Sequence, residues 1–121
     1  VIVNGLTTSI YKTYGQKIKP GSTYAATILS NYGTAASAGI NLCLTSSGSA
    51  PSSGGAATIT GCASTGYKQF QSVGSSDAAS GNTQESYVLQ GIIEEANAIT
   101  SVAVTTNATW TGGNMYVYVS N

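Results

Sequence analysis

The stretch from residue 84 to residue 102, QESYVLQGIIEEANAITSV, decides the fold class, because no other part of the chain invites a helical interpretation. Glu94-Glu95-Ala96 has helical propensity. The flanking sequences Tyr87-Val88-Leu89 and Ile99-Thr100-Ser101-Val102 are rich in β-branched and aromatic residues, which favour strands. We therefore predict two strands joined by a turn here, and an all-β fold.

Short strand-like runs recur along the rest of the chain, separated by turn sequences such as Lys19-Pro20-Gly21, Ser80-Gly81-Asn82 and Thr111-Gly112-Gly113-Asn114. This spacing is typical of sandwiches and barrels, and 121 residues suit one domain. We predict a single β-sandwich over residues 1–121, Ig-like or jelly-roll, with about seven to nine short, mostly antiparallel strands. The runs are residues 1–10, 22–30, 38–45, 56–61, 67–73, 86–93, 98–106 and 114–120.

Charge is scarce: only 7% of residues are charged, the net charge is zero, and the sequence has no histidine or arginine. A chain without a basic patch cannot neutralise phosphates, which excludes nucleic acid as a partner. No stretch approaches the roughly 20 apolar residues that span a membrane, so we expect no membrane span. A surface with so little charge suits a protein that packs against copies of itself.

Two cysteines, Cys43 and Cys62, bracket a segment rich in serine, glycine and proline at residues 46–55. Both have the parity of the polar residues in their predicted strands, so neither thiol is expected in the core. We predict a Cys43–Cys62 disulfide, worth roughly 3 kcal/mol in the chain-entropy model, and hence an oxidising, extracellular setting. A zinc site is not expected, because zinc prefers about four soft ligands and histidine is absent.

The usual catalytic groups are missing. Without histidine, acid–base chemistry would fall to a few carboxylates, lysines or tyrosines. The adjacent Glu94 and Glu95 suggest a solvated hairpin tip more than a two-carboxylate glycosidase. Asp77, near Ser75, Ser76 and Asn82, suggests a polar loop more than a calcium site. We expect no enzymatic activity, no metal and no cofactor.

Aromatic residues near the end of the sequence give the sharper hypothesis. Met115, Val117 and Val119 share one face of the predicted last strand, and Tyr116 and Tyr118 share the other. If the aliphatic face packs in the core, the tyrosines form an outer surface. Such rings suit a subunit interface or, together with Trp110, a platform for stacking sugars. Alternatively, they simply fill sheet positions.

The opening run, Val1-Ile2-Val3-Asn4-Gly5-Leu6, is apolar and prone to form a strand. Such a strand pairs within its own sheet or adds to the edge of a neighbouring subunit, so residues 1–10 are a candidate for exchange between copies. The candidate interface residues are Val1, Ile2, Val3, Leu6, Tyr116 and Tyr118. Asn107-Ala108-Thr109 is a candidate glycosylation sequon.

Two segments resemble known classes of domain. Residues 19–36, with KPGSTY leading to NYGTAA, are similar to the early strands of Ig-like modules of secreted prokaryotic surface proteins, where a Pro-Gly turn precedes a strand ending in an Asn-x-Gly corner. Residues 99–119 are similar to the closing hairpin of β-sandwich domains in phage virion and tail proteins. Both resemblances imply a surface-exposed sandwich used for assembly or attachment.

We therefore predict a non-enzymatic structural subunit of an extracellular assembly: a pilus-like filament, a surface array, or a virion shell or tail. Its partners would be copies of itself, located extracellularly, on a cell surface or in a virion. The alternative is a carbohydrate- or receptor-binding adhesion module in which Trp110, Tyr116 and Tyr118 contact the ligand.

Overall fold

The computed structural model describes residues 1–7, 10–19, 25–30, 39–40, 42, 53–76, 85–105 and 112–120. Within these residues the secondary structure is seven strands in two antiparallel sheets, with no helix. The predicted all-β class is confirmed, including the non-helical connection at residues 94–96.

The strands are β1 Ile2–Val3, β2 Tyr11–Lys19, β3 Ala25–Ser30, β4 Ser53–Thr60, β5 Lys68–Ser76, β6 Glu85–Ile93 and β7 Val102–Ala103. Strands β1 and β7 pair in a small sheet. The other five form one sheet in the order β3-β2-β6-β5-β4, so β3 and β4 are its edges.

One face of the five-stranded sheet carries the core. On β6, Tyr87 and Leu89 are buried, whereas Val88 between them is exposed. Strand β5 has the same period, with Phe70 and Ser72 buried. We call the buried side of this sheet the inner face and the opposite side the outer face.

Strand β2 falls between the runs that were predicted as strands. Its sequence, YKTYGQKIK, combines lysines with a glycine and gives a weak local signal. The strand forms because β6 and β3 pair with it on both sides. Tyr11 and Thr13 face the core, and Lys12 pairs with Glu94, with Nζ 3.5 Å from Oε2. Tertiary pairing therefore decides this element.

The strand predicted over residues 1–10 is limited to Ile2–Val3, because a tight turn follows. Asn4 and Gly5 both have positive φ, 49° and 69°, and the Leu6 N–H donates to the Val3 carbonyl at 2.9 Å. Asn-Gly is the favoured pair for a turn with two positive φ angles. This turn ends β1 after two residues and directs the chain back toward β2.

The Asn4 side chain fastens this turn to residues 98–101. Its Nδ2 donates to the Ala98 carbonyl at 3.0 Å, and its Oδ1 accepts from the N–H groups of Thr100 and Ser101 at 2.8 and 3.2 Å. The Asn4 N–H also donates to the Ser101 carbonyl. These bonds align β1 with β7, so the opening residues pair within their own chain.

The core forms where the small sheet lies against the inner face. Its buried members come from both sheets and from the connection at residue 40. The Tyr11 hydroxyl accepts from the Val3 N–H at 2.9 Å and donates to the Leu6 carbonyl at 3.0 Å, which links β2 to the β1 turn. The cluster consists of Val3, Tyr11, Ile40, Phe70 and Ile93.

Lys68 is fully buried at the start of β5. Its ammonium donates to the carbonyls of Ser64, Gly66 and Glu95 at 2.8, 2.6 and 2.9 Å. All three donors of the side chain are thereby satisfied, as burial of a charge requires. The lysine holds the β4–β5 turn and the connection after β6 to one end of the sheet.

Two glycines let another segment cross the inner face closely. Gly55 and Gly74 lie opposite each other on β4 and β5, and the Leu42 carbonyl lies directly over both. A Cβ at either position would approach that carbonyl to less than 3.0 Å. Glycine is therefore required at both positions by space.

We expect Gly74→Ala to lower the free energy of unfolding by about 1–3 kcal/mol, because the added methyl group overlaps the Leu42 carbonyl and meets Tyr87 Cε2 at 2.9 Å. Gly54→Ala is the matched control, since nothing lies within 4 Å of its added Cβ. It should change stability by no more than about 0.5 kcal/mol. Urea unfolding measures both, and equal losses would contradict the close crossing of Leu42.

Tyr11→Phe should lower the free energy of unfolding by about 1–3 kcal/mol, because the Val3 N–H and the Leu6 carbonyl lose their partner. Tyr14→Phe is the control, because Tyr14 is exposed on the outer face of the same strand. Thermal or urea unfolding at neutral pH should separate the two variants clearly.

The same pair of variants predicts a pH dependence. Burial raises the pKa of the Tyr11 phenol above the ordinary value of 10.0; the Val3 N–H bond lowers this pKa, and the Glu95 charge raises it. The folded state therefore holds the proton more tightly than the unfolded chain. The stability that Tyr11 confers is complete below pH 10 and declines as the pH rises further. The difference between wild type and Tyr11→Phe should shrink above about pH 10, and a constant difference would contradict this assignment.

Candidate interaction surface

Residues 112–120, which we call the 112–120 segment, are exposed throughout and form no strand. They make no hydrogen bond to the described part of the chain. The exposed fractions are 60% for Met115, 72% for Tyr116, 61% for Val117, 88% for Tyr118 and 89% for Val119. Five consecutive large apolar side chains facing water form an unusual surface for a protein of this size.

The predicted strand at residues 114–120 is therefore not formed, and the condition that its aliphatic face packs in the core is not met. Met115, Val117 and Val119 are as open to solvent as the two tyrosines. The reason lies in the sheet order, which pairs the described strands with one another and includes no strand from this segment. The segment keeps its β-prone sequence without a partner in the described structure.

An open strand edge is the second part of this surface. Strand β4 ends the five-stranded sheet and pairs only with β5 among the described strands. Its sequence, SGGAATIT, has no charge and no proline, the usual devices that protect an edge from another strand. Ala57 and Ile59 on its inner face pack against the core but are only partly buried. The core is thus incompletely covered along β4.

A shallow depression of about 460 Å³ adjoins this edge, lined by residues 54–56, 73–75 and 86–87. Most of its lining residues are small: glycines, serines and an alanine. Of the larger lining residues, Val73 is exposed on the outer face. The depression lets a neighbouring side chain pack beside β4.

The outer face is also partly apolar. The three central strands, β2, β6 and β5, expose four large apolar residues on this face: Tyr14, Val73, Val88 and Ile92. Glutamines alternate with them, Gln90 lying opposite both Tyr14 and Gln71. This mixture resembles an ordinary solvated sheet face more than the continuous apolar run of the 112–120 segment.

The predicted interface residues of the opening run have mixed positions. Val3 is fully buried in the core and Val1 packs against it, whereas Ile2 and Leu6 are half-buried. Val1 also exchanges hydrogen bonds with Ile40 through both its amino group and its carbonyl. Strand exchange through residues 1–10 stays a prediction. Trp110 and the sequon at Asn107 lie outside the described residues.

Of the two cysteines, the structure describes Cys62, whereas Cys43 lies outside the described residues. Cys62 is a free thiol in the structure, with Sγ 3.5 Å from the Ile59 carbonyl. Leu42, which precedes Cys43 in sequence, lies over Gly55, on the order of 20 Å along β4 from Cys62 at the usual rise per residue. This placement does not favour the disulfide, which stays a prediction.

Thiol titration in denaturant tests the predicted disulfide. If Cys43 and Cys62 are joined, protein purified without reductant should show no reactive thiol, and two should appear after reduction. The Cys62→Ser variant is the control, because it should show one thiol with or without reductant. Two reactive thiols in the untreated wild type would refute the bond.

Glu94 and Glu95, the carboxylates considered above for a glycosidase, both make local contacts. Glu94 pairs with Lys12, and Glu95 Oε1 accepts from the Asn97 N–H at 2.7 Å. Nowhere in the described ranges do three acidic, cysteine or histidine side chains gather as metal ligands would. Asp77, the calcium candidate, lies outside them.

Among the described residues there is no helix with the length and apolar character needed to cross a membrane.

The structural roles of four residues were not predicted from the sequence: Asn4, Gly5, Tyr11 and Lys68. The Asn4-Gly5 pair is a recognised turn signal inside an apolar run and was open to detection. The Tyr11 hydroxyl bonds backbone groups of Val3 and Leu6, which are near in sequence, whereas Lys68 also bonds the distant Glu95 carbonyl. In each case a side chain binds backbone groups, and no residue pattern identifies such partners.

No protein-family model matches the chain, and no curated protein or solved structure matches it either. The resemblances to prokaryotic Ig-like surface modules and to phage β-sandwich domains gain no support from these comparisons. The function is therefore argued from the surface formed by the 112–120 segment and the β4 edge.

Proposed function

We propose that this protein is a non-enzymatic structural subunit of an extracellular assembly, such as a pilus-like filament, a surface array, or a virion shell or tail. The observation that carries the proposal is the 112–120 segment, whose five large apolar residues face water in the single chain. The proposed architecture is one β-sandwich over residues 1–121, with the small β1–β7 sheet belonging to its second layer.

The energetic basis is the cost of leaving this segment in water. Removing apolar surface from water contributes roughly 25 cal/mol per Å², and contact with another subunit would remove much of the surface of these five side chains. The tyrosines add large contact area with few rotatable bonds. A net charge of zero lowers the repulsion between copies. Contact between copies is therefore the most favourable use of this surface.

The extracellular location belongs to the same proposal. Gly, Ser and Thr dominate the polar residues, and charged residues make up only 7% of the chain. The predicted disulfide and the sequon at Asn107 both suit a secreted protein. Neither is needed for the contact between copies, so the assembly proposal stands without them.

A second candidate is a module that binds carbohydrate or a receptor. The exposure of Tyr116 and Tyr118, 72% and 88%, favours it, because open aromatic rings stack on sugar faces. Trp110 would belong to the same platform. This candidate requires a monomer or small closed oligomer that keeps the rings accessible.

Electron microscopy of the purified protein, combined with its native mass in solution, separates the two functions. We expect filaments or large regular particles whose fraction rises with protein concentration. A monomer at all concentrations, with Tyr116→Ala and Trp110→Ala variants that lose binding on a glycan array, would refute the assembly and support the binding module.

The opening run is the other candidate interface, but deleting residues 1–6 would not test its role in assembly cleanly. Val3 is fully buried, and Asn4 holds residues 98–101, so the deletion would damage the fold together with any contact. Substitutions within the 112–120 segment avoid this problem, because the described core does not depend on it.

A further inference from the structure

We infer that the 112–120 segment of one copy adds as a strand to the β4 edge of a second copy. This inference rests on the proposed function and names its contact. It requires that the segment and the edge complement each other in backbone, in side chains and in space.

The backbone requirement is met on both sides. Strand β4 offers eight residues with one edge that no described strand covers, and the segment offers seven residues from Asn114 to Ser120. A strand added there would pair the polar backbone groups along that edge. Neither partner carries a charge that would oppose the pairing.

Side-chain parity matches as well. In an extended segment Met115, Val117 and Val119 point to one side, and Tyr116 and Tyr118 to the other. Placed beside β4 with the aliphatic set inward, the segment would cover Ala57 and Ile59, which the chain's own core leaves partly buried. The tyrosines would then face outward, beside the depression at residues 54–56.

Strand β4 fits this role better than the other open positions. Strand β3 offers six residues and β7 only two, whereas the segment has seven. The depression adjoins β4, and three small residues of that strand, Gly54, Gly55 and Ala56, line it. The outer face offers apolar side chains, but its strands are paired on both sides and give an added backbone no hydrogen bonds.

The geometry also sets the form of the assembly. The two contact surfaces of each copy are different, so each copy gives its segment to one neighbour and accepts a segment from another. Such a head-to-tail contact produces an open polymer unless the rotation between copies closes a ring.

Two variants block the two halves of the contact separately. The segment variant is Val117→Pro with Tyr118→Pro: adjacent prolines remove one N–H from each side of an added strand, and the fold is spared because these residues make no hydrogen bonds in the described chain. The edge variant is Thr58→Lys with Thr60→Lys, which places charge on exposed positions of β4.

Each variant has a matched control. Val117→Thr with Tyr118→Thr keeps the backbone donors and the strand propensity of the segment. Gln69→Lys with Gln71→Lys adds the same charge at the same spacing to the outer face, but on the interior strand β5. Unfolding midpoints equal to wild type confirm that every variant is folded.

Sedimentation and electron microscopy then measure assembly. Wild type and the lysine control should polymerise, and the segment and edge variants should each need at least about tenfold more protein to do so. The threonine control should assemble less well than wild type but better than the proline variant. An equimolar mixture of the segment and edge variants should form particles of twice the monomer mass that do not grow, because only one contact can form.

The outcomes separate the inference from the proposed function. If wild type assembles and both blocked variants assemble equally well, the inference is wrong and the proposed function stands. If only the lysine control fails, the copies meet through the outer face, and the inference is again wrong. If wild type stays monomeric at every concentration, the proposed function fails, and the inference fails with it.

Discussion

The hydrogen bonds of the Tyr11 hydroxyl connect the two sheets, and much of the described structure depends on them. The oxygen accepts from Val3 in the small sheet and donates to Leu6 after the turn, while its ring lies in the core of the large sheet. A buried phenol needs such partners, because an unsatisfied polar group inside the core is costly. The position of β1, and with it that of β7, follows from this bridge.

Polar side chains perform this positioning in a protein with very few charges. Asn4 aligns β1 with residues 98–101, and Lys68 holds two connections at the end of the sheet through three carbonyls. Each bond is directional, whereas apolar packing alone is not. A small core therefore adopts one arrangement, and the glycines at positions 55 and 74 let Leu42 close it.

The same fold leaves the 112–120 segment without a partner among the described residues. The inner face is covered by the chain's own small sheet and connections, yet the core is still open along β4, and the 112–120 segment remains in water. Within the described part of the chain, an edge that no strand covers and an apolar segment that no strand pairs with complement each other. Neither has a partner among the described residues, and pairing between copies would cover both, which is the physical basis of the assembly that we propose.

The sequence by itself determined the all-β class, because β-branched and aromatic runs separated by turn residues are local signals. It also determined the low charge and the apolar character of residues 115–119. Only the tertiary structure decided that residues 11–19 form an interior strand and that the 112–120 segment lies exposed. Pairing and burial depend on neighbours far apart in the chain, such as Tyr11 and Ile93, and no local pattern specifies which strands will meet.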